Sequence, residues 1–320
     1  MANWKDEQVL IVGGGIGGLT AALALARQGI PSQVIEQAAT FKEIGAGIQL
    51  GPNVFPMFER LGLIEPISAL AVFPENLVML DSISGEEVTR IPLGDAFRRK
   101  FHYPYALIHR ADLHNVLLEH CRKSNLIRLD AAQKIVDLAE TSCVITAKAA
   151  NGKDYRCAAL IGADGLWSTI REFVVGDGKP KPAGHIAYRA VLPTMEIPEQ
   201  YRWRNMTLWA GEKVHFVLYP LRTGELYNLV AVFHSNRYEE GWDSFGDPAE
   251  LHAFRRDLRA GADAPCQDRE LAHVGAVRPA AGQGLEPRPR HASGRRRASD
   301  AAISGAGRLH GGRGRGLPRR

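Results

Sequence analysis

The sequence predicts an α/β protein in which a Rossmann-like dinucleotide-binding domain carries an inserted mixed, mostly antiparallel β-sheet. Three observations predict it. Gln8 to Glu36 reads strand, glycine turn, helix, strand. Ala158 to Gly165 repeats the device, an apolar strand ending in a glycine-flanked acid. Residues 185–233 read as four sheet strands, with turns at Ala210-Gly211 and Thr223-Gly224.

Val9 to Val12 is a continuous apolar run, suited to a parallel strand buried on both faces. Gly13, Gly15 and Gly18 follow at the spacing G-x-G-x-x-G. The first permits a tight turn, the second admits a pyrophosphate to the backbone, and the third lets helix pack on strand. Leu19 to Arg27 is rich in Ala and Leu and predicts the helix whose N-terminus would face the phosphates. The second strand ends on Glu36, at the distance where a ribose hydroxyl is expected, which favours a 2′-hydroxyl over a 2′-phosphate.

Phe41 to Asn53 is a glycine-spaced loop containing Gln49, and a helix is predicted over 54–61. Residues 77–92 read as two strands around Ser82-Ile83-Ser84-Gly85. His109 to Leu118 starts a helix with Arg110 at its opening. A cation there is mildly unfavourable, so Arg110 is either a solvated charge or, as the misfit favours, a ligand contact. Lys134 to Tyr155 predicts a small antiparallel meander with Asn151-Gly152 as its last turn. After the Ala158–Gly162 strand, Asp164 either caps the helix predicted from Thr169 to Val174 or makes a second cofactor contact, and the repeat of the opening device favours the second.

The sheet region has strands over 186–192, 206–209, 214–219 and 226–233. In the third, His215, Val217 and Tyr219 share one face by period two. A His and a Tyr there are either half-buried packing or the lining of a pocket that manages a phenol's proton.

At 320 residues the chain is long enough for one large domain or two coupled ones. Cys121, Cys143, Cys157 and Cys266 show no metal or redox spacing, so no metal is expected and the cytoplasm is the expected compartment. The uncharged run 9–26 is set aside as a membrane anchor or signal peptide by its glycines and by the Asp6-Glu7 flank. The net charge is +5, but residues 260–320 hold 12 Arg against 5 acids, while residues 1–259 hold 28 basic and 30 acidic residues. The excess is therefore confined to a tail with eleven glycines, no Lys and no aromatic residue. Such tails bind RNA when aromatics are interleaved; here they are not, and no nucleic-acid partner is expected.

Together, Gly13 to Gly18 with Glu36, GAGIQLGPN, HRADLHNVL and LIGADGLWSTIR resemble the single-component flavin-dependent aromatic hydroxylases of the para-hydroxybenzoate hydroxylase fold. Within that family, HFVLYPLRTGELYNLVAVFHS and FPENLVMLDS are similar to the 3-hydroxybenzoate 6-hydroxylases, with salicylate hydroxylases next. The resemblance covers residues 8 to about 259. It implies FAD held by Gly13, Gly15, Gly18, Glu36, Gln49, Arg110 and Asp164, with NAD(P)H reducing the flavin. It also implies O₂ as the source of one oxygen atom passed to an aromatic acid, 3-hydroxybenzoate giving 2,5-dihydroxybenzoate. His215 and Tyr219 are the expected proton handlers, and Arg189 is the candidate for the substrate carboxylate. The expected domains are 1–184 for FAD, with 76–105 on the substrate side, 185–259 for the substrate sheet, and 260–320 as a disordered tail. A homodimer without membrane attachment is in keeping with the family.

The resemblance breaks at the tail. The family carries a further G-D-A-A-H-P motif, whose Asp holds the flavin's ribityl chain, and none is readable after Arg259. Permitted codons for Arg290 to Asp300, read one base out of register, spell V-T-L-L-G-D-A-A-H-P. Continuing through Leu317 gives further sequence in the family's style. The expectation is a frameshift near Arg259 or Ala260, leaving the FAD domain C-terminally incomplete. A non-catalytic flavoprotein remnant is then the alternative to an active hydroxylase.

Overall fold

The computed structural model describes residues 8–43, 46–141, 144–181 and 184–234, with the backbone of three short strands, Ser244–Phe245, Gly275–Val277 and Ala302–Ser304. Apart from the last two strands, the tail expected to be disordered and frameshifted lies outside the described residues. The chain divides into two units, Met1–Phe41 with Cys121–Gly178 and Gly294–Arg320, and Lys42–His120 with Lys179–Ser293. The sequence-based boundary at 184 is drawn along the chain, whereas this division follows contacts and groups residues 42–120 with the large sheet.

The first unit is built on a parallel sheet in the order Ala302–Ser304, Ala159–Gly162, Val9–Val12, Ser32–Ile35, Ile127–Asp130. Val9 to Val12 is paired on both sides, to Ala159–Gly162 and to Ser32–Ile35. That central place is why the run is apolar throughout: Leu10, Ile11 and Val12 are all buried. The helix Ile16–Arg27 buries Leu19 and Ala22 and starts three residues earlier than its Ala/Leu composition suggests, because glycines 17 and 18 are inside it. Ile135–Thr141, Val144–Ala149 and Asp154–Cys157 form the expected antiparallel meander, and Gly152 takes the turn at φ +84°. Leu138, Ile145, Ala147 and Tyr155 share one core with Leu10, Val12, Leu160 and Ile170.

The second unit centres on a sheet in the order Ser244–Phe245, Gly275–Val277, His185–Pro193, Leu226–His234, Val214–Leu221, Met206–Gly211, Asn76–Asp81, Glu87–Pro92. Its pairs are antiparallel except Met206–Gly211 with Asn76–Asp81, so the 77–92 hairpin extends the sheet through a parallel join. One face buries Tyr188, Trp209, Phe216, Leu218, Leu229 and Phe233. Each such side chain contributes about 1.5–3 kcal/mol relative to exposure. The other face carries Val217, Tyr219 and Leu221, packed with Val72 and Leu107.

The glycine-spaced loop differs from expectation. Gly47–Leu50 is a strand, antiparallel to Ala106–His109, followed by a single 3-10 turn at Pro52–Val54 and the helix Phe55–Leu61. Its glycines mark close approach to a neighbour rather than loop freedom, since a Cβ on Gly47 would stand 2.4 Å from the Tyr219 ring. The helix Arg110–Lys123 begins where Ala106–His109 ends. Among the described residues no helix is long and apolar enough to cross a membrane, and no group of side chains has metal-ligand convergence.

Candidate functional site

In the first unit the fingerprint loop has the geometry its glycines imply. Gly13 sits at φ +112°, donates its N–H to Ile35 O at 2.8 Å, and leaves no room for a Cβ, which would lie 2.2 Å from Ala163 O. A Cβ on Gly18 would lie 1.9 Å from Gly13 O. Gly15 is the N-cap, with no side chain capping the helix and no acid in its first turn. The free N–H groups and the positive end of a twelve-residue helix are thus open to an anion. Glu36 accepts from Gly14 N–H at 2.8 Å through one oxygen and from Ala38 N–H at 2.8 Å through the other, which holds the second strand's end against the glycine turn. This uncapped, sterically closed cradle fits the pyrophosphate of a dinucleotide.

Asp164 is placed beside that loop, its backbone nitrogen 2.8 Å from where a Gly13 Cβ would be. Its carboxylate accepts from Ser168 Oγ and from the N–H groups of Thr169 and Ile170 at 2.8 and 3.2 Å. Ser168 in turn accepts from Arg171 N–H at 2.8 Å. The capping alternative is what the side chain does in this structure.

In the second unit, strand register puts His185, Ala187, Arg189 and Val191 on one sheet face with His234, Val232, Val230 and Asn228, and with His215, Val217 and Tyr219. Arg189 is the notable member. Its Nε is buried with no hydrogen-bond partner, and burial pushes the guanidinium below its ordinary value, with Tyr219 opposing and the charge of Arg110 adding to the shift. Tyr219 is buried, and its phenol is driven well above the ordinary value by burial, against the pull of Arg189. The protonated phenol is thereby favoured, which suits a hydrogen-bond donor better than a base.

Directly across from Tyr219 is Asn228, fully buried, whose Oδ1 accepts from Gly47 N–H at 2.7 Å. That bond fixes the amide's orientation and leaves Nδ2 as a second buried donor without a partner. Gln49 accepts from the Tyr105 hydroxyl, and burial raises the Tyr105 phenol. Arg110 Nε lies 2.7 Å from Glu43 Oε1, an ion pair without aligned hydrogen-bond geometry. Arg222 grips Asp112, on the first turn of the same helix, with two bonds of 2.8 Å.

His215 does not join this group. Four residues apart on an extended strand, His215 and Tyr219 have Cα atoms about 13 Å apart, so they address opposite ends of any ring lying over Val217 and Val230. His215 is half-buried and held below its ordinary value by burial, with the charge of His185 adding to the shift, which favours the neutral imidazole. The structure thus brings Arg189, Tyr219, Gln49 and Arg110 into the second unit and Gly13, Gly15, Gly18, Glu36 and Asp164 into the first. Sequence reasoning missed Asn228, Tyr105 and Glu43. Asn228 had a signal, a lone amide inside the apolar strand LYNLVAVF; the other two had none.

The family model described as FAD binding domain matches residues 6–275. The chain is 43% identical over 252 residues to the 3-hydroxybenzoate 6-hydroxylase of Polaromonas naphthalenivorans, covering 79% of this chain and 63% of the relative. It is likewise 43% identical over 254 residues to that of Klebsiella oxytoca, covering 79% and 64%. Among solved structures, an HpxO variant from Klebsiella pneumoniae complexed with FAD superposes with a TM-score of 0.66 at 25% identity, over 79% of this chain and 63% of that one. The chain therefore spans somewhat under two thirds of the length of the curated relatives it matches.

Proposed function

Because the chain belongs to the FAD binding domain family, we propose that it derives from, and with a complete FAD shell acts as, an FAD-dependent monooxygenase of hydroxybenzoates. The expected reaction converts 3-hydroxybenzoate to 2,5-dihydroxybenzoate with NAD(P)H and O₂. Relatives of that name at 43% identity support the substrate. The observation that carries the reading is Arg189, whose buried Nε has no hydrogen-bond partner, beside two other donors, Tyr219 and Asn228 Nδ2, on one sheet face. Leaving buried donors unsatisfied costs stability, and an aromatic carboxylate supplies the missing charge and acceptors.

When bound, FAD supplies the redox chemistry, taking reducing equivalents from the nicotinamide and passing one oxygen atom of O₂ to the ring. The chain's own residues prepare the substrate. Arg189 and Asn228 Nδ2 hold the carboxylate, with the Tyr219 hydroxyl donating alongside. Val217 and Val230 form the dry floor under the ring. His215 Nε2 or Nδ1 accepts the phenolic proton, because an electron-rich phenolate is the form that an electrophilic oxygen attacks. Gly13, Gly15, Gly18 and Glu36 hold the dinucleotide, while Gln49, Arg110 and Asp164 are proposed as further contacts, Asp164 through its backbone while its carboxylate caps the helix. A cytoplasmic homodimer accompanies this reading.

The test is to add FAD and NADH to the purified chain and follow 3-hydroxybenzoate-stimulated NADH oxidation, with chromatography for 2,5-dihydroxybenzoate. Salicylate serves as the competing substrate. Formation of another product, or better use of salicylate, refutes the substrate assignment. A second reading, a non-catalytic remnant, is favoured by the tail, whose codons read one base out of register in the family's style. It expects the chain to bind the aromatic acid without turnover.

A further inference from the structure

The turn that joins Val214–Leu221 to Leu226–His234 is held in an unfavourable backbone conformation. Arg222 and Thr223 both take left-handed values, φ +47° and +58°, ahead of Gly224 at φ +100°. That region suits glycine, and a residue with a side chain persists there only where its surroundings hold it. Contacts on both sides do so. Glu225 N–H donates to Arg222 O at 3.1 Å, and Thr194 N–H donates to Glu225 O at 2.9 Å. Arg222 itself supplies the longest-range contact: its Nε and Nη2 donate to the two carboxylate oxygens of Asp112, each at 2.8 Å, across 110 residues of sequence. An acid in the first turn of a helix is favourable by itself. Asp112 does more than that, since its side chain is 12% exposed against 44% for Arg222, and the turn's cation reaches inward to it.

The pair closes a circuit around the candidate carboxylate site. Tyr219 and Asn228 are register partners seated on Gly47, through the Asn228 Oδ1 bond and the close approach of the Tyr219 ring. Gly47 pairs with His109, and Arg110 N–H donates to Ala46 O at 3.0 Å, so the strand under Tyr219 is tied to the start of the helix Arg110–Lys123. Two residues into that helix, Asp112 returns to the hairpin at Arg222, three residues past Tyr219. His109 lies between the two attachments and feels both charges: burial lowers it, with Asp112 opposing and Arg222 adding to the shift. A single attachment at Gly47 leaves the hairpin free to tilt about it. A second, two-bonded attachment at Arg222 removes that freedom.

We infer that Asp112 and Arg222 are positioning residues for the aromatic acid, whose paired bonds fix the hairpin so that the Tyr219 hydroxyl and Asn228 Nδ2 stay in the arrangement that receives one carboxylate. This rests on the reading of those two groups as donors to the substrate. Arginine is needed at 222 rather than any cation, because only its planar fork meets both carboxylate oxygens.

Two measurements on the full chain test the role. Amide hydrogen exchange is followed in the natural chain, R222K, D112N and R222K/D112N. The Gly47 amide is expected to exchange roughly tenfold faster in each variant, while the amides of Val9–Val12 in the parallel sheet keep their rates. Unchanged Gly47 protection overturns the positioning role, and so does an equal loss in both sheets, which would make the pair general support. Binding of 3-hydroxybenzoate is then measured by titration calorimetry. Affinity is expected to fall roughly tenfold in R222K and in D112N, and the double variant to lose no more than either, because each single change already breaks the same paired bonds. Unchanged affinity in the single variants, or losses that add in the double one, overturns the role. A natural chain that binds no hydroxybenzoate refutes the proposed substrate instead, and the Gly47 exchange still decides whether the pair positions the hairpin.

Discussion

Arg189 is where function and stability pull in opposite directions. Its Nε is buried without a hydrogen-bond partner, a donor whose desolvation is expected to cost the ligand-free chain stability. Arg189→Met keeps the length and apolar contacts and is expected to stabilise the ligand-free chain by roughly 1–3 kcal/mol in urea unfolding while abolishing aromatic-acid binding. If the variant is less stable and binds as before, the carboxylate-anchor role is wrong. Gly47 makes the opposite case. The Cβ of Gly47→Ala would meet the Tyr219 ring at 2.4 Å, and that ring is buried and cannot swing away. The expected cost is about 1–3 kcal/mol, with weaker hydroxybenzoate binding because Tyr219 and the Asn228 amide shift together. An unchanged melting temperature would show that the strand yields without strain.

At the scale of elements, Asp164 offers a separable test. Its carboxylate serves Ser168, Thr169 and Ile170 at the start of the helix Thr169–Val175. Asp164→Ala is expected to cost about 1 kcal/mol of stability. If the side chain is a cap alone, the loss is the same with and without saturating FAD; a larger loss with FAD present restores the cofactor-contact role. The same element shows what the sequence could tell. The strand, the acid and the helix were all legible, because apolar runs and capping residues are local signals. Whether the carboxylate turns to the helix or to a ligand was not, since both choices use the same residue at the same place. Gly47–Leu50 was hidden for a related reason: three glycines in seven residues suggest a loop, and only its pairing to Ala106–His109 and its seat on Tyr219 and Asn228 make it a strand. His215 and Tyr219 were correctly put on one face by period two, but they stand four residues apart along the strand and so cannot meet at one atom of a ligand.

At the scale of the molecule, the question is how much of an FAD shell this sequence encodes. Similarity to the curated relatives runs over about 250 residues and covers 63–64% of their length. The Arg/Gly-rich stretch after residue 259 has the composition of a different kind of chain, and its permitted codons, shifted by one base, spell a G-D turn in the family's style. The pyrophosphate cradle and the Glu36 contact belong to the first 36 residues and do not depend on that stretch. Some affinity for FAD is therefore expected from the chain as given, but without the Asp carboxylate that the family resemblance implies would accept from the ribityl hydroxyls. Sequencing the source DNA across codons 255–320 decides the frame directly, and a peptide other than the shifted one refutes the frameshift. Expression of both forms then measures the consequence. The frame-restored chain is expected to keep FAD through gel filtration, and the given chain to lose it, with FAD affinity lower by roughly a hundredfold, about 2.7 kcal/mol. Should the given chain retain FAD and turn over 3-hydroxybenzoate at the rate of the restored one, the cradle at Gly13 to Gly18 would hold the cofactor without the G-D turn.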